Sequence, residues 1–166
     1  MKFPYGERDI NEAINLFKQA IDCDSTYLLA YINIANAYER KHSYTDEMKA
    51  YNIILVLTNN NDPTILMMKG TLFERINNID SAKNYYYSAK KGYEKELIKH
   101  PDNAEVIKEI ILLKALTDGK DEAIKEIDKQ IKLHPELREK LSGEYEYYKF
   151  FNRHNYVYNL PTEVDN

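Results

Sequence analysis

The sequence predicts an all-α protein built as a solenoid of helix-turn-helix units, and three observations carry that prediction. Apolar residues recur three and four apart, the spacing that places side chains on one helix face. Sets of small and aromatic residues repeat about every 34 residues, the length of two helices and their turns. Only 5 Gly and 5 Pro occur among 166 residues, which suits long helices joined by short turns.

Helices are predicted at 9–23, 27–41, 45–58, 63–77, 80–99, 102–117, 120–133 and 135–153. The first holds Ala13, Phe17 and Ala20. Its counterparts, Glu47, Tyr51 and Ile54, then Ala82, Tyr86 and Ala89, follow after about 34 and 35 residues. A fourth set, Ala123, Ile127 and Gln130, comes about 41 residues later, one repeat plus two extra helical turns. The extra length falls in Tyr86–Lys99, where only Gly92 interrupts a helical run. The phase then recovers, since Pro101 and Pro135 lie one repeat apart, each preceded by a histidine and followed by an acidic residue.

Alternating with these helices is a second type that carries a large, a small and an aromatic residue: Tyr31, Ala35, Tyr38, and then Leu66, Gly70, Phe73. The small residue lets two helices approach closely. In the last unit the positions read Ile107, Ile111 and Lys114, a degenerate copy of the kind terminal repeats often show. Asp62-Pro63, Asp80, and Asp102 after Pro101 place acceptors and first-turn prolines where helix starts leave N–H groups unpaired. Asn77-Asn78 and Asp118-Gly119 supply turns that tolerate left-handed backbone.

Over about residues 10–135 this pattern resembles the tetratricopeptide repeat: a bulky residue, Leu-Gly, Tyr, then Ala, Phe, Ala and Pro. The Leu-Gly pair survives only as Ile34-Ala35 and Lys69-Gly70. The resemblance implies a right-handed α-solenoid of about three repeats, with a preceding half repeat and a C-terminal capping helix. A generic antiparallel helical bundle is the alternative.

Residues 1–153 are read as the repeat domain and 154–166 as an extended arm. Met1–Arg8 is too short to supply a full partner for the first helix, so either Phe3 and Tyr5 cap the solenoid or the protein continues upstream. Leu137, Leu141, Tyr145 and Tyr148 form the apolar stripe of a capping helix. Beyond it Tyr156, Tyr158 and Leu160 alternate with Val157 and Asn159 before Pro161, an extended pattern. Such an arm either packs back on its own last repeats or inserts into a neighbour to make a homodimer.

A formal net charge of −4 leaves no electrostatic footprint for nucleic acid and disfavours anionic membrane surfaces. No apolar run reaches membrane-spanning length, and Met1–Gly6 lacks the core of a signal peptide. The chain as written reads as cytoplasmic, with an exported or lipid-anchored protein as the alternative if an upstream segment is removed. The single cysteine, Cys23, excludes an internal disulfide framework and is expected to be a passive small residue. His42, His100, His134 and His154 are scattered, with no metal-ligand spacing, and no phosphate loop or nucleophile elbow occurs. No catalytic residue, metal or cofactor is predicted.

In the fold that the resemblance implies, the first helix of each repeat lines the concave surface. That puts Leu29, Ile32, Asn33, Asn36, Glu39 and Arg40 there, then Thr64, Met67, Met68, Thr71, Glu74 and Arg75, then Glu105, Lys108, Glu109 and Leu112. From these, Ile32, Asn33, Asn36, Glu39, Arg40, Met67, Met68, Thr71, Glu74, Arg75, Lys108 and Leu112 are expected to hold a partner polypeptide. Amides can bond a peptide backbone, and methionines adapt to an apolar anchor. The segment held should be extended or helical, with one apolar anchor and some basic character. A clamp for chaperone tails is not predicted, because Ile32, Glu105 and Glu109 stand where cations would be needed.

Glu39-Arg40 and Glu74-Arg75 recur at equivalent places and read either as ion pairs between neighbouring repeats or as a ladder that orients a ligand. Of the 15 tyrosines, Tyr38, Tyr51 and Tyr86 are assigned to packing, whereas Tyr85, Tyr87, Tyr93 and Tyr147 are candidate surface anchors. The leading functional reading is a non-enzymatic protein-binding adaptor. The alternatives are an inhibitor or immunity-type protein covering one folded toxin or enzyme through helix 80–99 and the aromatic C-terminus, and an architectural subunit that self-assembles.

Overall fold

Helical periodicity becomes a row of helices, each packed on the next in sequence. The structure, a computed structural model, describes residues 7–160. The helices are α1 (Glu7–Cys23), α2 (Leu28–Arg40), α3 (Tyr44–Leu57), α4 (Pro63–Arg75), α5 (Ile79–Lys99), α6 (Ala104–Thr117), α7 (Lys120–Leu133), α8 (Arg138–Lys149) and α9 (Arg153–Tyr158). A short 3-10 turn, Pro135–Leu137, leads into α8. No strand occurs among the described residues. The molecule is an all-α helical repeat solenoid. The notion that Phe3 and Tyr5 cap it concerns residues outside those described.

Helix starts follow local chemistry. The Asp62 carboxylate accepts from the backbone N–H of Thr64 (3.0 Å) and Ile65 (3.2 Å), with Pro63 in the first turn. At α5 and α6 the caps differ from the expected aspartates: Asn78 accepts from Ser81 N–H at 3.1 Å, and Asn103 accepts from Glu105 and Val106 N–H. Asp80 and Asp102 therefore fall beside the caps, because an amide oxygen one or two residues away reaches the same unpaired N–H groups. Asn77 (φ 60°) and Gly119 (φ 99°) adopt left-handed backbone where the turns were expected.

α5 runs for 21 residues, so the insertion lengthens this helix as predicted. Where one helix was expected over 135–153, the chain forms the 3-10 turn, then α8, then a break at Phe150–Asn152. The expected extended arm begins instead as a helix, α9, capped by the Asn152 side chain, which accepts from Asn155 N–H at 3.0 Å. The alternation Tyr156, Tyr158, Leu160 predicts an extended arm, but the segment buries Val157 against the solenoid as a helix, and no strand among the described residues is there to pair with an extended chain.

The core is one chain of three linked clusters. Ile14, Tyr31, Ile34, Tyr51, Ile54 and Leu72 join α1 to α4. Met67, Tyr86, Tyr93, Leu113 and Val157 join α4, α5, α6 and α9. Ile107, Ile111, Ile127, Leu141 and Tyr148 join α6, α7 and α8. Leu66 and Met68 touch the first two clusters, and Leu112 and Phe151 touch the last two, so the apolar interior is continuous. α9 returns from the C-terminal end to lie against α4.

Candidate partner-binding surface

The row of residues expected to line one groove is divided into three parts. Asn33, Asn36 and Arg40 line a shallow cleft of about 270 Å³ on the α1–α2 end, with Asp9, Ile10 and Phe17 opposite. Glu39, Met68 and Thr71 line a larger cleft of about 550 Å³ closed on its other side by α8 and α9. The remaining members have partners from within the chain.

Ile32 packs half-buried against the first core cluster, and Leu112 joins the other two. Met67 is fully buried beneath α9 with Val157, and so is unavailable as a ligand anchor. Lys108 bridges Glu105 and Glu144 of α8, each at 3.7 Å, because α8 lies across α6. Met67, Thr71, Glu74 and Arg75 thus correct the expectation of an exposed surface. The physical reason differs by residue: α9 packs on Met67 and Glu74, whereas Arg75 is enclosed by Glu39, Glu47 and Tyr44 of α2 and α3.

Arg75 is the centre of a buried ion cluster. Its Nη2 lies 2.8 Å from Glu47 Oε1 and its Nη1 3.3 Å from Glu39 Oε1, while the guanidinium sits 5.8 Å from the Tyr44 ring centroid. Glu47 and Arg75 side chains are essentially inaccessible, at 0% and 1% exposure. Burial outweighs the guanidinium and pushes the Glu47 carboxyl up to about 7, with Glu39 adding like-charge repulsion. The Glu39–Arg75 contact realises the reading of ion pairing between neighbouring repeats. Arg40 is exposed and lies at the α1–α2 cleft.

Glu74 has a different partner. Arg153, at the start of α9, grips it with a two-pronged contact, Nη1 to Oε1 at 2.6 Å and Nη2 to Oε2 at 2.8 Å. Arg153 Nε also donates to the Leu116 carbonyl at the end of α6, 2.6 Å away. Independently of α9, the Tyr86 hydroxyl donates to Glu74 Oε2 at 2.9 Å.

The larger cleft has an apolar floor and an acidic, amide-rich rim. Met68, Phe151 and Tyr156 contribute the floor, Tyr147, Phe150 and Leu160 stand exposed at its mouth, and Glu39, Glu146, Asn152, Asn155 and Asn159 supply polar atoms. Among the described residues no Lys or Arg lines it. Tyr147 is half exposed, as expected of a surface anchor, and Tyr87 is also exposed on α5. Tyr85 instead stacks on Phe73 at 5.1 Å under Lys69. Tyr93 is buried, its hydroxyl 3.1 Å from Thr64 Oγ1, and corrects its assignment to the surface.

Phe150, Phe151, Asn152, Asn155 and Arg153 were not legible as site residues. The aromatic pair followed by Asn152 marks a helix break, and that break was the available signal. Among the described residues no group of acidic, His or Cys side chains could hold a metal ion, and no helix is long and apolar enough to cross a membrane.

These features define the chain as an all-α helical repeat solenoid whose C-terminal helix packs back on α4. Among solved structures, a crystal structure of MamA superposes on 78% of this chain and 71% of that chain, at 16% identity and a TM-score of 0.47. No family model and no curated protein matches the sequence.

Proposed function

We propose that this protein is a protein-interaction module that holds a short partner segment in the cleft between α2, α4 and the α8–α9 corner. The observation that carries the reading is the cleft itself: about 550 Å³, with an apolar floor, exposed aromatic side chains at the mouth, and two rim carboxylates, Glu39 and Glu146, that pair with Arg75 and Lys149 outside its lining. An aromatic or aliphatic anchor would bury its surface on Met68 and Tyr156, and a neighbouring Lys or Arg would share Glu146 with the exposed Lys149 and the outer oxygen of Glu39 with Arg75. Asn152 and Asn159 carry both donor and acceptor and suit a peptide backbone. Tyr147 and Phe150 are rigid aromatic groups of the kind that dominate binding energy.

A peptide library displayed on phage, selected on the full chain and counter-selected on a Tyr147→Ala, Phe150→Ala variant, tests this. Enriched sequences should carry one large apolar residue beside a basic one, and should bind the variant at least about tenfold more weakly, as for loss of hot-spot aromatics. Circular dichroism of both chains checks that the fold is kept. Equal binding by the two chains would overturn the cleft assignment. Capture of a folded protein through α5, where Tyr87 stands exposed, would favour the inhibitor-type reading instead.

A further inference from the structure

α9 reads as an occupant of the solenoid rather than as part of it. It is only 6 residues long, far below the length at which a helix persists alone in water. Three residues, Phe150–Asn152, connect it to α8, so it can leave without pulling apart any repeat. What it covers is already organised: Glu74 is held by Tyr86, the Leu116 carbonyl ends α6, and Met67 and Leu113 form an apolar floor. Glu74 is a carboxylate presented for a guanidinium, since among the described residues its neighbours other than α9 supply one hydroxyl and no ion pair. Into this seat α9 places Arg153 and, one helical turn on, Val157, which is 1% exposed.

We propose that the α4–α6 seat is a recognition site for a partner helix bearing Arg and, four residues later, a β-branched apolar residue, with α9 as its tethered resident. The proposal goes beyond the cleft reading: it assigns a second site, on α4 and α6, that opens only when α9, itself a wall of the cleft, has left. Charge complementarity specifies the arginine: its planar fork matches both Glu74 oxygens and leaves Nε for the Leu116 carbonyl, a three-point contact that lysine cannot make. The depth of the Val157 site specifies the apolar residue. Tethering sets the competition, because a short link presents α9 at an effective concentration of about a millimolar.

The probe is a fluorescent synthetic peptide with the sequence of residues 150–160, titrated by anisotropy into the full chain and into full-length Val157→Asp. That substitution puts a carboxylate into the apolar floor and so evicts α9 while leaving every residue of the seat on α4 and α6 unchanged. The variant should bind the peptide roughly tenfold or more tightly than the parent, the gain expected when a tethered competitor is removed. The same peptide carrying Arg153→Gln should bind the variant about tenfold more weakly, for loss of a two-pronged charge-assisted contact. Equal binding by parent and variant, with helical content preserved, would overturn the proposal, as would indifference to the arginine.

Should Val157→Asp unfold the chain, hydrogen exchange of the parent decides the matter. The Tyr156 amide, bonded to the Asn152 carbonyl, should exchange by local opening, with protection at least about tenfold below that of α4. Protection equal to that of α4 would show that α9 leaves only on global unfolding. A parent dimer joined by exchanged α9 helices would overturn the assignment in favour of a second copy as occupant. The peptide titration uses no outside partner, so it can fail while the phage selection on Tyr147 and Phe150 succeeds, and the reverse.

Discussion

Glu47 occupies a helix position that its counterparts Ala13, Ala82 and Ala123 fill with a methyl group. A carboxylate in so closed a slot must find a counter-charge, and Arg75, 28 residues on, supplies it. The misfit at Glu47 was legible as a departure from the repeat; its partner was not, since helical spacing says nothing about which residue of the next unit lies opposite. The last unit shows the same logic in weaker form. Lys114, in the aromatic position, and Gln130, in the small one, both turn to Glu126, at 3.9 Å and 2.7 Å. The raised Glu47 carboxyl gives a pH signature. Between about 4.5 and about 7 the folded state binds a proton that the unfolded chain releases, so stability falls as pH rises through that window. Urea unfolding at a series of pH values should show the parent losing on the order of 1–3 kcal/mol relative to Glu47→Gln across this window, with the difference level on either side. Gln keeps an oxygen for Arg75, while Glu39, Arg75 and Tyr51 around the site are unchanged. A difference that grows toward acid pH would refute the assignment.

At the scale of elements, the small positions decide how closely helices pair. Gly70 of α4 faces the Tyr86 ring of α5 so tightly that an added Cβ would lie 2.5 Å from Cε1. The ring has little room to retreat, because its hydroxyl is bonded to Glu74 and its face is buried. Gly70→Ala should therefore destabilise the chain by about 1–3 kcal/mol despite the better helix propensity of alanine, lowering the melting temperature by about 3–10 °C. Thermal unfolding followed at 222 nm measures this directly, and an unchanged or raised midpoint would show that α4 and α5 separate at little cost. The close approach was legible, since Gly70 sits where Ala35 sits one repeat earlier. The caps were legible only in kind, because Asn78 and Asn103 compete with Asp80 and Asp102 for the same N–H groups.

For the molecule as a whole, three clusters joined end to end make stability a matter of neighbours, as in other linear arrays. α1 packs on α2 and buries a single side chain, Ile14, among the described residues, whereas α4 touches α3, α5 and α9. Native-state hydrogen exchange should then find α1 amides protected at least about tenfold less than those of α4 and α6, with α1 opening as a local unit. Uniform protection from α1 to α7 would mean that the array unfolds all at once. The same architecture explains why the expected groove residues are divided: a segment outside the repeat, α8 to α9, packs on α4 and α6.

Helical periodicity, the recurrence near 34 residues, the long α5 and the positions of the turns were determined by the sequence alone. Each depends on contacts between residues three and four apart or on the backbone preference of one Asn, Gly or Pro. The tertiary structure decided which groove residues face solvent. Arg153 and Glu74 meet across 79 positions of chain, and Val157 joins the buried cluster that holds Met67 although the two share no period. Such contacts arise because α9 has an apolar face to bury and α4 a carboxylate to neutralise, and a local pattern carries no record of where a short, non-repeating helix will find both.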